Sequence, residues 1–160
     1  MDASFTAEAH FRRGTQELEA GRYAEALEHL RGAHRLDPAN PRFRSYFGLC
    51  LALAERRFDK ALELCRSAAK EEFFNPNLYH NLARVHLAFG FKAEAIRFLR
   101  RGLMIDPRSE VIAAQLYQLG VRRRPVLRFL RRQHLLNRWC GILLQRIRRE
   151  GPALEPLRSS

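Results

Sequence analysis

Histidines and cysteines are the side chains of this sequence that could bind a metal ion or attack a substrate. The six histidines are His10, His29, His34, His80, His86 and His134. No two of them are four residues apart, the spacing that places both ligands of an HExxH zinc site on one helical face. His29 and His34, and likewise His80 and His86, are spaced so that they fall on different faces of a helix. We therefore expect structural histidines and no metal site.

The cysteines and carboxylates also give no sign of enzymatic chemistry. Cys50, Cys65 and Cys140 lack CxxC spacing, which argues against both a zinc site and a disulfide framework. Glu71 and Glu72 form a carboxylate pair, but they lie near a predicted helix end, where water solvates them. The sequence contains no GxGxxG, P-loop or GxSxG motif. We predict a protein that is not an enzyme, with no catalytic residue, no cofactor and no small-molecule substrate.

Charge is distributed unevenly along the chain, whose formal net charge is +12. Residues 1–120 carry 18 Lys and Arg against 15 Asp and Glu, whereas residues 121–160 carry 11 Arg against 2 Glu. A nearly neutral body is therefore followed by a strongly basic segment. This asymmetry indicates that the basic segment has an anionic partner. Such a partner would be a membrane surface, nucleic acid or an acidic protein.

The N-terminus does not resemble a targeting segment. Met1-Asp2-Ala3-Ser4 is acidic, without the basic start and apolar stretch of a signal peptide. No stretch approaches the roughly 18 apolar residues that a membrane-spanning helix requires. Cys50 and Cys65 fall in apolar helical patterns, where reduced, buried thiols are expected. These features predict a cytoplasmic protein.

Small residues recur along the chain at a nearly constant interval. Two sets repeat every 34 or 35 residues: Gly14, Gly48 and Ala83, and Ala26, Ala61 and Ala95. Small side chains at such positions allow two helix backbones to approach closely, and a larger one would overpack the crossing at a cost of about 1–3 kcal/mol. The chain therefore contains three copies of one structural unit.

Apolar residues at helical spacing divide each unit into two helices. We predict helices at 7–20 and 24–36, at 41–54 and 58–71, and at 77–89 and 92–105. Gly21 follows the first of them, as glycine commonly does at helix C-termini. A seventh helix at 110–119 would cover the last apolar face before Gly120. The second unit has one extra residue, which we assign to the turn at 55–57, and a longer stretch at 70–74.

This pattern resembles the tetratricopeptide repeat, a helical pair with a period of about 34 residues. The resemblance covers about residues 7–109 and implies an all-α solenoid with repeats at about 7–40, 41–75 and 76–109. With the capping helix at 110–119, these repeats would form one domain at 1–120.

The resemblance also implies a binding surface, because the first helix of each repeat lines the concave side of such a solenoid. The groove residues would be Phe11, Thr15, Leu18, Arg42, Ser45, Leu49, Asn77, His80, Arg84 and Leu87. A mixed surface with two cations, Arg42 and Arg84, suits an extended or helical peptide with apolar anchors and an acidic group.

Chaperone-binding members of the family hold a C-terminal carboxylate with Lys, Asn and Arg side chains. The corresponding positions here are Phe11, Thr15, Tyr46, Asn77 and Asn81. Because these positions carry no cation, we expect no binding of chaperone tails by a carboxylate clamp.

The segment 121–150 is predicted to be a basic, amphipathic helical tail, followed by a disordered end at 151–160. Its candidate contact residues are Arg122, Arg123, Arg124, Arg128, Arg131, Arg132 and Trp139. Three interpretations are open: the tail packs on the repeats, lies in an anionic membrane interface, or docks on a protein, including a second copy of the chain. Nucleic acid is less favoured, because Phe129 and Trp139 are too few for a stacking platform.

Together these observations predict a non-catalytic adaptor or scaffold that binds a peptide or helix of a protein partner in its groove. The alternative is a protein anchored by its tail to the inner face of a membrane or to nucleic acid.

Overall fold

The computed structural model describes residues 6–120 of the chain, which form seven α-helices and no strand. The helices are α1 (Ala7–Glu19), α2 (Tyr23–Leu36), α3 (Pro41–Ala54), α4 (Phe58–Glu71), α5 (Pro76–Ala88), α6 (Lys92–Ile105) and α7 (Glu110–Gln118). We call α1, α3 and α5 the A helices and α2, α4 and α6 the B helices. The predicted all-α solenoid of three helical pairs and a capping helix is confirmed for these residues. The predicted tail and disordered end lie outside the described residues.

Each A helix, and α7 after them, begins at a capping residue that recurs with the period of the repeat. These residues are Thr6, Asn40, Asn75 and Ser109. The side-chain oxygen of Asn40 accepts hydrogen bonds from the N–H groups of Arg42 and Phe43, and Asn75 caps α5 in the same way. A proline occupies the first turn of α3 and of α5, where a missing N–H costs no hydrogen bond. Local sequence therefore fixes where these helices start.

Small residues lie where the two helices of a pair cross. Ala26, Ala61 and Ala95 have no exposed surface. A Cβ atom added to Gly48 would lie 3.0 Å from the carbonyl oxygen of Ala61, and one added to Gly14 would lie 2.6 Å from Leu30 Cγ. The backbones are therefore too close for larger side chains, as the spacing of small residues predicts.

The extra residue of the second pair lies in α3, not in the turn to which we assigned it. Helix α3 has 14 residues, whereas α1 and α5 have 13 each. All three connections within pairs, 20–22, 55–57 and 89–91, have the same length. Each connection needs one residue in the left-handed region, and Arg56, with φ of 57°, takes the place that Gly21 and Gly90 hold in the other two. The connection keeps its length, so the additional residue lengthens the helix. The N–H of Arg57 accordingly reaches back six residues to the carbonyl of Leu51, whereas the corresponding bonds of Arg22 and Phe91 span five residues.

The stretch at 70–74 is also not longer than its equivalents. The connections between pairs, 37–40, 72–75 and 106–109, have the same length. In each of them the last residue donates its N–H to the carbonyl of the first, as Asn75 does to Glu72 at 3.1 Å. Lys70 and Glu71 belong to α4, in agreement with the helix predicted at 58–71, so only residues 72–74 separate α4 from the cap Asn75.

The A helices lie on the inner side of the stack. Among the described helices, α1 contacts α3 and α3 contacts α5, whereas the B helices make no comparable contacts with one another. Helix α7 packs on α6 through the buried residues Ile112 and Leu116. His80 of α5 and Gln115 of α7 also join by a hydrogen bond of 2.8 Å. This arrangement leaves the sides of the A helices that face away from the B helices to form a groove.

Within residues 6–120, no helix combines the length and the apolar character that crossing a membrane would require.

Candidate interaction groove

A polar cavity of about 210 Å³ opens between the A helices. Its walls are formed by Phe11, Thr15, Glu19, Arg42, Tyr46, Asn75, Asn77 and Leu78. All three A helices and the cap of α5 contribute to it. The cavity is therefore a product of the stacking of the repeats and not of any single pair.

Phe11 fixes the position of the aromatic and cationic groups in this cavity. The guanidinium carbon of Arg42 lies 4.9 Å from the centre of the Phe11 ring. The Tyr46 ring meets the Phe11 ring edge-on, with centroids 5.1 Å apart. The Phe43 ring also packs against Phe11, with centroids 4.9 Å apart. These contacts hold Arg42 and Tyr46 in place before any ligand arrives.

Two arginines and one carboxylate act on Tyr46. Burial raises the pKa of its hydroxyl, while Arg84 and Arg42 act in the opposite direction and Glu19 adds to the rise. Neither Arg84 nor Arg42 forms an ion pair with any carboxylate in the part of the chain that the structure describes. The groove therefore offers two cations, against the single carboxylate of Glu19, and a hydroxyl donor to an acidic group.

The structure brings together part of the predicted groove set. Phe11, Thr15, Arg42 and Asn77 border the cavity. Further along α5, His80, Arg84 and Leu87 are half-buried. Burial lowers the pKa of His80, and Arg84 lowers it further, whereas its hydrogen bond to Gln115 opposes the change. His80 is therefore a neutral groove residue near physiological pH.

Three predicted groove residues are buried and do not border the cavity, whereas Phe11 borders it although it is only 6% exposed. Ser45 and Leu49 have no exposed surface, and Leu18 is 3% exposed. The hydroxyl of Ser45 accepts a hydrogen bond from Asn81 at 3.2 Å, and its carbonyl accepts one from Cys65. These contacts join α3, α4 and α5 in the interior, so the assignment of Ser45, Leu49 and Leu18 to the groove surface is wrong. Asn81, at a clamp position, is buried for the same reason.

Glu19, Asn75 and Leu78 line the cavity but were not predicted to do so, and Tyr46 was predicted only as a clamp position. The helical period could have identified two of these residues, Glu19 and Tyr46. Glu19 follows Thr15 by four residues, and Tyr46 follows Arg42 by four, so each pair shares one face of its helix. Asn75 carried no such signal, because it is the capping residue of α5.

The other candidates from the sequence are not part of this groove. Among residues 6–120, no group of three His, Cys, Asp or Glu side chains is arranged to hold a metal ion. Nδ1 of His10 and Nδ1 of His29 lie 3.3 Å apart between α1 and α2. Cys50 and Cys65 are buried, as expected. The tail contact residues, from Arg122 to Trp139, lie outside the described residues, and their role stays a prediction.

Comparison with known proteins identifies the repeat. Two tetratricopeptide-repeat family models match the chain, at residues 7–40 and 52–116, and together they cover more than half of it. No curated protein sequence gives a significant match.

Solved structures of similar fold are tetratricopeptide-repeat domains. The first such domain of human RPAP3 is 19% identical, with a TM-score of 0.59 over 74% of this chain and 92% of its own. The first domain of Spaghetti (RPAP3) bound to the HSP90 peptide SRMEEVD is 20% identical, with a TM-score of 0.56 over 73% and 92%. The Arabidopsis OM64 domain is 18% identical, with a TM-score of 0.56 over 71% and 93%. With its three helical pairs and these matches, the chain belongs to the tetratricopeptide-repeat family.

Proposed function

We propose that the chain is a non-catalytic adaptor that binds a peptide or helix of a protein partner in the groove between α1, α3 and α5. The observation that carries this proposal is the cavity that the three A helices form together, with Arg42 and Arg84 free of carboxylate partners among the described residues. Preorganised donors and an aromatic wall are what a groove needs to hold an extended segment.

The similar domain of Spaghetti (RPAP3) holds a peptide, which supports this use of the fold. The ligand chemistry here is different. Phe11, Thr15, Tyr46 and Asn77 border the cavity at the clamp positions, and none of them is a cation. Arg42 and Arg84 are cations at other positions of the groove. The partner is therefore expected to present an acidic side chain and not a chaperone C-terminus.

Affinity capture with the full chain tests the proposal. Arg42→Gln together with Arg84→Gln should abolish recovery of proteins that the unmodified chain captures from a nuclease-treated lysate. The matched control is Arg97→Gln with Arg100→Gln, which removes two exposed cations from the B helix α6. The peptide SRMEEVD serves as a second probe and should bind the full chain no better than a scrambled peptide. Equal loss of capture in both Arg variants would reject the groove as the binding surface.

The tail offers a second, charge-driven mode of binding that rests on the sequence alone. Its net positive charge predicts that any association it dominates weakens steeply between low and physiological salt. Binding in the groove depends less on salt, because Arg42 packs against Phe11 and Arg84 is half-buried. If the same partner is captured at both salt concentrations, binding in the groove is favoured. If capture is lost at physiological salt, binding by the tail is favoured.

A further inference from the structure

Phe73 and Phe74 form an exposed aromatic pair on the connection between α4 and α5. Their side chains are 51% and 75% exposed, and their ring centroids lie 4.1 Å apart. Adjacent exposed aromatic residues are unusual on a protein surface and commonly mark an interaction site. The equivalent positions are Pro38 and Ala39 in the connection after α2, so the fold itself does not require aromatic rings here.

The backbone beneath the two rings is held firmly. The hydroxyl of Tyr79, which is buried, donates a hydrogen bond to the carbonyl of Phe73 at 3.2 Å. The guanidinium of Arg101 lies over the Tyr79 ring, 5.2 Å from its centre. Asn75 adds a hydrogen bond to Glu72 at 2.9 Å. The rings are therefore presented on a fixed loop, which lowers the entropy lost on binding.

The aromatic pair adjoins the groove. It borders a shallow depression of about 560 Å³ formed by residues 71–76, and Asn75 lines both this depression and the groove cavity. A segment lying in the groove would pass from Arg42 over Asn75 to reach the rings. The two surfaces therefore meet at Asn75.

Charge sets the direction of such a segment. Arg42 and Arg84 outnumber the one carboxylate of the groove end, Glu19, and favour an acidic side chain there. Glu71 and Glu72 border the aromatic pair and disfavour an acidic side chain there. Glu71 pairs with Arg44, and Glu72 bonds to Asn75, so both carboxylates are held in place. The end near the rings suits an aromatic or large aliphatic residue.

We propose that the partner segment carries an acidic residue, held by Arg42 and Arg84, and a separate aromatic or large aliphatic residue that covers Phe73 and Phe74. This inference rests on the proposed function, because it extends the same groove. It adds a second point of contact and defines the partner chemically as an acidic–apolar peptide.

A selection experiment tests the two contacts separately. A phage library of random dodecapeptides, fused at their C-termini so that no free carboxylate is presented, is selected on the full chain and on two variants. One variant is Arg42→Gln with Arg84→Gln. The other is Phe73→Pro with Phe74→Ala, which restores the Pro38-Ala39 sequence of the first connection. The Phe73 N–H takes part in no backbone hydrogen bond of that loop, so proline is tolerated there.

The unmodified chain should select peptides with Asp or Glu and Phe, Trp or Leu at a fixed separation. The aromatic variant should lose the apolar preference and keep the acidic one, and the Arg variant should show the reverse. An amidated synthetic peptide from the selection should bind the aromatic variant about tenfold more weakly than the unmodified chain. It should bind the Arg97→Gln, Arg100→Gln control equally well.

Three outcomes would overturn the inference. An apolar preference that persists in the aromatic variant, with the acidic preference lost in the Arg variant, rejects the extension and leaves the groove intact. An acidic preference that survives in the Arg variant means that other cations of this basic chain capture acidic peptides, and it rejects the role of Arg42 and Arg84. A selection without a shared pattern rejects both the groove and its extension.

Discussion

The helix crossings and the connections between pairs differ in how strictly the fold determines their side chains. At the crossings, Ala61 has no exposed surface and Gly48 has no room for a Cβ atom. The connections 37–40 and 72–75 share their length and their closing hydrogen bond, yet only the second carries two exposed phenylalanines. Close backbone contact therefore dictates residue size at the crossings, whereas the connections are free to carry a binding surface.

One position of the A helices lies between these two extremes. Glu17, Leu51 and His86 occupy it in the three pairs, and the carbonyl of each accepts the N–H that closes the following turn. Their side chains differ completely. Glu17 is buried with ion pairs to Arg13 and Arg22, whereas both ring nitrogens of His86 lack hydrogen-bond partners within the described residues. The three backbone carbonyls therefore have the same role in closing the turn, whereas the three side chains differ in their effect on stability.

The largest effect is expected at a crossing. Ala61→Leu should lower the free energy of unfolding by about 3 kcal/mol, because Ala61 has no exposed surface and lies at a close crossing, its carbonyl 3.0 Å from where a Cβ on Gly48 would be. The matched control is Ala93→Leu, at an exposed position of α6, which should change it by less than about 0.5 kcal/mol. Urea denaturation of the full chain measures both. Similar losses in the two variants would show that the crossings are not more restrictive than the surface.

An intermediate effect is expected at His86 and depends on pH. Burial lowers the pKa of this imidazole, and Arg66 lowers it further, whereas Glu94 opposes the change. As the pH falls through about 6.5, the unfolded chain therefore gains a proton that folded His86 resists, and stability decreases. His34 and His80 act in the same direction.

Melting temperatures of the full chain should accordingly fall between about pH 7.5 and about pH 5.5. His86→Leu, which keeps the volume and removes the titrating group, should make that fall smaller without abolishing it. An unchanged pH dependence in this variant would mean that His86 gains a partner when it becomes protonated.

The smallest effect on stability is expected in the connection. Phe73→Pro with Phe74→Ala should change the free energy of unfolding by at most about 1 kcal/mol, because Phe73 is half exposed and Phe74 mostly exposed. Urea denaturation measures it alongside the crossing variants. A loss comparable to that of Ala61→Leu would place the rings in the core and remove the contrast between the two regions.

The sequence was sufficient to predict the helices because their boundaries are encoded locally. Each of the seven predicted helices agrees with the structure to within about one residue at either end. Caps such as Asn40 and Asn75, and glycines such as Gly21, act within a few residues of the boundary that they set. The extra residue of α3 was misplaced, because sequence spacing reveals an insertion but not whether a helix or a turn absorbs it.

The groove was harder to predict, because exposure depends on the neighbours of a side chain. Phe11, Ser45 and His80 occupy equivalent positions, yet they differ in exposure. Ser45 is fully buried, Phe11 keeps 6% of its surface exposed and borders the cavity, and His80 is half-buried. Leu49 similarly occupies the position of Thr15 and Arg84, but it is apolar and fully buried. Repeat register identifies the face of a helix, whereas side-chain length and packing decide which residues on that face reach a ligand.

The buried thiols of α3 and α4 can be used to measure local unfolding of the chain. Burial raises the pKa of Cys50 and of Cys65 to about 12. At about pH 8, only about one such thiol in ten thousand is a thiolate, so alkylating reagents react only with molecules in which the pair has opened. Peptide mapping that follows the alkylation of Cys50 and Cys65 separately over time would therefore measure the rate of local unfolding in the middle of the solenoid.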